Sequence, residues 1–365
     1  MRKFAVFPVL VALFLISRLL SGLAAHSSYL LIACLLFLGT LIMLGGCELF
    51  ANGTESLGGR LNLSHAATGS LLAAIGTALP ETMVPIIALM TGRPGQRQGI
   101  AIGAILGAPF MLGTLAMFFL GLTVLVRKFL KKTRAALVPN VKALKFETGY
   151  IIAAMAAIFV VSLIRQKSVG RTADFLAAAL LLAAYVFFFS RTLRHEAEEH
   201  EKYAEGFHFG VYLGFPRKGR WFAFQAAVGL AFMLAGANLF VEYISALALK
   251  SGFPPLALSF MIVPFATEFP EKVNSISWAL KGKDTLALAN VTGAMVFQAS
   301  IPVSIGLLFT RWAIGRAEMT GILLVVLMAS LLRMTVSARK EIPFWILLSG
   351  GAFYLVYLAQ ALRLF

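Results

Sequence analysis

Two stretches, "GTALPE" at 76–81 and "ATEFPE" at 266–271, decide how this chain is read. Each is a short polar run ending in Pro-Glu, set inside a long apolar stretch. A proline inside a helix has no N–H to give, so the carbonyl four residues earlier loses its partner. Pro80 frees the carbonyl of Gly76, and Pro270 frees that of Ala266. In hydrocarbon such a carbonyl must be satisfied within the protein or line a polar cavity. Thr77 and Thr267 add a hydroxyl beside each break; Glu81 and Glu271 each add a carboxylate. A carboxylate within a span costs at least about 2.5 kcal/mol and marks an ion or proton path. The donors are all oxygen, which suits a hard cation such as Ca2+ with its roughly 6–8 oxygen ligands. No His or Cys lies nearby in sequence, which disfavours zinc and copper. Two facing carboxylates with no cation between them would repel.

Around these motifs the chain reads as membrane throughout. Of its 365 residues 59% are hydrophobic and 13% charged, too apolar for a soluble globular protein. Eleven stretches approach the roughly 20 apolar residues that a helical span needs: 4–24, 29–51, 65–91, 97–125, 148–165, 173–190, 221–248, 254–280, 285–311, 317–334 and 343–362. They leave no room for a sizeable soluble domain. The net charge of +16 could suggest nucleic acid, but its distribution argues otherwise. With residue 1 inside and every segment crossing, cytoplasmic loops carry 21 of the 32 Lys and Arg, as the positive-inside rule requires. No nucleic-acid partner is expected; the lipid bilayer is. Residues 1–26 read as a retained N-terminal helix or a signal segment, because Arg2 and Lys3 precede the apolar run while Arg18 interrupts it. Cys34 and Cys47 fall about 20 Å apart along one helix and cannot pair with each other.

The two motifs are also part of an internal repeat. Shifted by 190 residues, 44–81 aligns without a gap on 234–271, with Gly46 on Gly236, Leu49-Phe50 on Leu239-Phe240, Thr77 on Thr267 and Pro80-Glu81 on Pro270-Glu271. The following helices align at an offset of 186, placing "GAILGAPF" (103–110) on "ANVTGAMV" (289–296). From residue 29 each half holds five spans. Five is odd, so the halves lie in opposite orientations, an inverted repeat with its site expected at the midplane. The expected organisation is 1–26; a first repeat, 27–190, with its motif region at about 65–125; a cytoplasmic linker, 191–220; and a second repeat, 221–365, with its motif region at about 254–311. The linker's "HEAEEH" (195–200) spaces two His at i, i+5, which do not share a helix face, so it reads as a solvated charged segment.

Both stretches resemble the α-repeats of the sodium/calcium exchanger family, within the cation/Ca2+ antiporter superfamily, where each repeat carries G-T-S-x-P-E followed one helix later by G-N-x-x-G-S. The resemblance runs from about 29 to 365. It implies an all-α polytopic fold of two inverted five-helix repeats, here with an extra N-terminal helix. It implies Glu81, Glu271, Thr77 and Thr267 as ion ligands, with Gly76 and Ala266 offering backbone oxygens. It implies a transporter rather than an enzyme, with Ca2+ and a monovalent cation as transported ions and no cofactor. Glu268 and Asn290 join the candidate ligands from the same motifs. The departures are Ala78 and Glu268 at the first motif's serine position and Ala104, Ala108 and Ala294 in the second motif, so several oxygens of the Na+ sites are missing. Glu268 has Lys272 four residues on, the favourable order for an ion pair.

The reading is a secondary-active antiporter exchanging Ca2+ for Na+ or H+ by alternating access, in a prokaryotic plasma membrane. The alternatives are an H+-coupled or monovalent-cation exchanger with altered sites, or a degenerate member that does not transport. An intramembrane enzyme using the Glu pair as acid and base has no nucleophile constellation near the motifs. Glu48 and Asn52 map onto Asn238 and Glu242 as a reciprocal swap, Asn274 lies one turn beyond Glu271, and Gln298 two turns beyond Asn290.

Overall fold

The computed structural model describes residues 6–22, 28–60, 72–131, 134–167, 171–195 and 207–362, with the backbone alone for 21–22, 55, 58–60, 72–79, 131, 166–167, 193–195 and 270. The chain is all-helical in its spans: α1 (Val6–Gly22), α2 (Tyr29–Arg60), α3 (Leu72–Thr91), α4 (Arg97–Met111), a π-helical segment Leu112–Ala116, α5 (Met117–Lys131), α6 (Val141–Lys167), α7 (Thr172–His195), a short α8 (His208–Leu213), α9 (Gly219–Ser251), α10 (Pro255–Thr267), α11 (Phe269–Leu280), α12 (Asp284–Gln298), α13 (Ile301–Phe309), α14 (Arg316–Arg339) and α15 (Phe344–Ala361). Among the described residues eight continuous stretches are long and apolar enough to cross a membrane, and Val6–Leu20, Pro80–Thr91 and Pro255–Thr267 are shorter apolar helices. Each of the eleven expected spans therefore falls on helix. The expected span 254–280 is broken at Glu268 and 285–311 at Ala299–Ser300. Residues 4–5 and 23–24 of the first span, 65–71 of the third and the linker's 196–206 lie outside the described residues. Hydroxyls inside the apolar helices are satisfied locally: Thr40, Thr148 and Ser245 donate to the carbonyls of Leu36, Leu144 and Val241, each four residues back.

The chain forms two compact units, residues 1–100 with 186–255, and residues 101–185 with 256–365. Each draws elements from both sequence repeats.

In the first unit α2 and α9 pack backbone to backbone. A Cβ added at Gly46 would sit 2.7 Å from the Gly229 carbonyl, and one at Gly229 would sit 2.7 Å from the Gly46 carbonyl. Gly39 and Gly236 face each other in the same reciprocal way. The 190-residue offset maps Gly39 onto Gly229 and Gly46 onto Gly236. The contact 39–236 is thus the repeat image of 229–46, as an inverted repeat demands. Small residues are what allow this approach, since without a hydrophobic drive in lipid, helix association depends on close packing. α1 packs on α2, with Leu10 against Gly45. The short α8 is held to this pair by polar groups: the His208 N–H donates to Asn52 Oδ1 (3.1 Å), the Gln225 Nε2 to the same atom (2.9 Å), and the Phe209 N–H to Gln225 Oε1 (2.8 Å).

In the second unit α6 packs on α14 and α5 on α15. α4 crosses α10 at Gly103 and Gly107, where a Cβ would strike the α10 backbone. Beside that crossing Phe110, Phe260 and Tyr357 form a buried aromatic cluster, with Phe260 and Tyr357 stacked at 4.4 Å. Arg127, at the end of α5, is buried, forms a salt bridge with Asp284 at the start of α12, and donates to the carbonyls of Ala136 and Ala279. Two short strands, β1 (Ala136–Leu137) and β2 (Ile342–Pro343), pair antiparallel beside it.

Candidate ion-binding site

The first motif lies on α3. Pro80 sits inside the helix and Glu81 follows it, 3% exposed. Gly76 and Thr77 lie on the same helix, where only the backbone is described.

The second motif, in the other unit, breaks the chain into α10 and α11. Pro270 stands in the first turn of α11 and cannot donate to the Ala266 carbonyl. Glu268, between the two helices, has φ −90° and ψ 12°, the bridge region. Its N–H still reaches the Pro264 carbonyl (3.1 Å), so the interruption is confined to the freed carbonyl and its neighbours. Ala266 is half-buried. Thr267 is buried and its hydroxyl donates to the Val263 carbonyl (3.2 Å), which leaves the oxygen lone pairs able to accept or ligate.

Three side chains then supply oxygens without donors. Glu268 is fully buried; its Oε1 accepts from Gln298 Nε2 (3.3 Å), while Oε2 has no hydrogen bond and stands 3.9 Å from Lys272 Nζ. Glu271 is 3% exposed and its Oε2 has no donor; Gln298 is 2% exposed and its Oε1 has none either. Buried acceptors left without donors carry a desolvation cost of about 1–3 kcal/mol each, more when charged, and a bound cation would offset it. Among the described residues no cluster of three or more His, Cys, Asp or Glu is arranged to hold a metal. The oxygens here come from single carboxylates mixed with amide, hydroxyl and carbonyl groups.

Asn290, half-buried on α12, donates to the Glu271 carbonyl (3.0 Å) and to Ser275 Oγ (2.9 Å). It thereby fixes the first turn of α11. Asn274, which sequence spacing places one turn from Glu271, is exposed instead. Two residues further along α12 Thr292 donates to Glu147 Oε2 (2.5 Å). At the helix break Ser300 and Tyr150 pair through their hydroxyls at 2.7 Å. Glu147, Ser275, Ser300 and Tyr150 were not among the sequence candidates. The legible signal was weak: Gln298 follows Asn290 by two helical turns, and the others carry no motif. Glu48, of the reciprocal swap, contacts His208 Nε2 at 3.1 Å, Asn52 is buried under α8, and Asn238 accepts from Thr91 (2.9 Å).

Buried carboxylates beside prolines in apolar helices are the arrangement expected of a membrane ion transporter. A family model described as "Sodium/calcium exchanger protein" matches residues 31–193 and 221–363, and the chain belongs to that family. It is 24% identical over 324 residues to an uncharacterized membrane protein of Methanocaldococcus jannaschii, covering 88% of this chain and 95% of that one. It is 25% identical over 369 residues to the sodium/calcium exchanger MaX1 of Methanosarcina acetivorans, covering 91% and 97%. Among solved structures, the H+/Ca2+ exchanger CAX superposes with a TM-score of 0.69 at 15% identity, covering 97% of this chain and 87% of that chain. That likeness establishes the fold.

Proposed function

We propose that this chain is a secondary-active antiporter that exchanges Ca2+ for Na+ or H+ across a cell membrane by alternating access. Glu81 and Glu271 neutralise the divalent ion. Thr77, Thr267 and the carbonyls of Gly76 and Ala266 replace part of its water, and Glu268, Asn290 and Gln298 complete or orient the site. The observation that carries the reading is the pairing of motif and burial: both repeat-related glutamates of the family's α-repeats are 3% exposed on apolar helices. Two carboxylates carry the charge that one divalent cation balances. The location that fits the relatives and the short loops is a prokaryotic plasma membrane.

The test is 45Ca2+ flux in proteoliposomes. The wild type is expected to exchange external 45Ca2+ for internal Ca2+, and Glu81→Gln and Glu271→Gln are each expected to lower this by at least about tenfold, the loss of roughly 1.4 kcal/mol of ion binding. Undiminished exchange in both variants removes the site; absence of exchange in the wild type under every gradient favours the non-transporting reading.

A second reading concerns the counter-ion. Glu268 stands where the family's motif has serine, which favours H+ over Na+. Uptake driven by a Na+ gradient and indifferent to pH would exclude it.

A further inference from the structure

Lys272 belongs to no motif of the family, yet its ammonium lies in the site's own second half. It is 6% exposed. Nζ donates to the Pro264 carbonyl at 3.3 Å, stands 3.9 Å from Glu268 Oε2 and lies 5.3 Å from the centroid of the Phe265 ring. Carbonyl, carboxylate and aromatic face are three groups that each attract a cation. Glu268 is in turn tied to Gln298, so the carboxylate that Lys272 faces is oriented from α12 as well. All these contacts fall within one unit. The carboxylate belongs to the residue that replaces the motif serine.

We propose that the Lys272 ammonium is a tethered monovalent cation, occupying the subsite formed by the Pro264 carbonyl and Glu268, and that it thereby excludes Na+ from the second repeat's half of the site. The inference rests on the exchanger reading and specifies its ion selectivity. Charge and volume decide which cation the subsite holds. A subsite with one carboxylate and one carbonyl attracts one unit of positive charge. Lys272 supplies that unit covalently, at no cost in translational entropy, so a free monovalent ion competes against a ligand whose effective concentration is set by a four-carbon tether. A second cation beside the ammonium would meet like-charge repulsion in a poorly hydrated setting. The repeat mate of Lys272 is Thr82, and that of Glu268 is Ala78, so the substitution of lysine for ion is confined to one repeat.

Na+ binding is read as a thermal shift of the full-length protein in detergent, comparing NaCl with choline chloride at equal ionic strength, since a ligand that binds only the folded state raises the unfolding temperature. The wild type is expected to show no Na+-specific shift. Lys272→Gln, which vacates the subsite, is expected to gain one of about 2 °C or more at saturating Na+. In the double variant Glu268→Gln, Lys272→Gln the gain is expected to vanish. Lys272→Met serves as an independent vacating variant. A Na+-specific shift in the wild type as large as that in Lys272→Gln overturns the proposal. So does the absence of a gain in Lys272→Gln and Lys272→Met, or a gain that persists in the double variant. The Ca2+ arm separates this from the parent reading: a Ca2+ shift in the wild type that disappears in Glu271→Gln supports the exchanger site, whereas its absence from the wild type counts against that site whatever Na+ does.

Discussion

Asn290 serves Glu271 through the backbone rather than through the carboxylate. Its amide donates to the Glu271 carbonyl and to Ser275 Oγ, and so ties the first turn of α11 to α12. Asn290→Ala removes one donor from the Glu271 carbonyl, which keeps its helical partner, and one from Ser275 Oγ, at a cost of about 0.5–1.5 kcal/mol. The expected outcome is a lower unfolding temperature in detergent together with weaker Ca2+ dependence of 45Ca2+ exchange. Ser275→Ala, which removes one neutral partner and leaves the Glu271 carbonyl satisfied, is expected to cost about 1 kcal/mol or less and to leave the Ca2+ dependence near wild type. Equal effects on Ca2+ dependence in the two variants would show that Asn290 does not act through Glu271. At this scale the sequence made the charged residues legible, because a carboxylate in an apolar span has few structural explanations. It did not separate Asn290 from Asn274. Both are polar residues near Glu271, one by a turn of helix and one by the packing of a second helix, and only the packing chooses between them.

At the scale of elements, the α2–α9 seam makes a sharp contrast available. A Cβ at Gly46 meets the Met233 backbone nitrogen at 2.6 Å and the Gly229 carbonyl at 2.7 Å, and backbone cannot rotate away. At Gly113 the nearest atom is the terminal methyl of Met295, at 3.2 Å, which can. Gly46→Ala is therefore expected to destabilise by about 1–3 kcal/mol through overpacking, and Gly113→Ala by much less, as read from thermal unfolding in detergent. A comparable loss in both would mean that the seam is not under backbone contact. The buried Arg127–Asp284 pair gives a second element-scale test. Asp284→Ala leaves a guanidinium 5% exposed without its carboxylate, at a cost of about 3–5 kcal/mol, visible as loss of folded protein on size-exclusion chromatography; recovery in the double variant Arg127→Met, Asp284→Ala would show that the stranded charge was the cause. The break at Glu268 was legible because a proline marks it. The π-helical segment Leu112–Ala116 and the break at Ala299–Ser300 were not, though the 186-residue offset places Leu112 on Gln298 and Thr114 on Ser300. Both repeats thus interrupt the same helix at the same point, one by a bulge and one by a break. Ordinary apolar residues carry the bulge, and nothing in their order announces it.

At the scale of the whole molecule, orientation follows from charge and from the odd number of spans in each repeat. Lys and Arg gather in 126–147 and 191–220, while loops at 92–96, 168–171 and 310–316 carry few. Basic residues near span ends are retained on the cytoplasmic side, so one orientation satisfies every loop at once. The inverted relation is independent support: Gly39 with Gly236 and Gly46 with Gly229 are images of each other only if the two halves run in opposite directions through the membrane. Reversing one half would put 191–220 outside and break both arguments together. Reporter fusions check this in a bacterial host. Alkaline phosphatase joined after residue 200 is expected to be inactive and a fluorescent protein joined there to be bright; after residue 169 the pattern is expected to reverse. The same polarity at both junctions would mean that α6 and α7 do not cross as read, and the second repeat could then not be the inverted image of the first. Alternating access through an inverted repeat, as proposed above, requires the second repeat to run opposite to the first. The fusion result therefore bears on the transport reading as directly as on the topology.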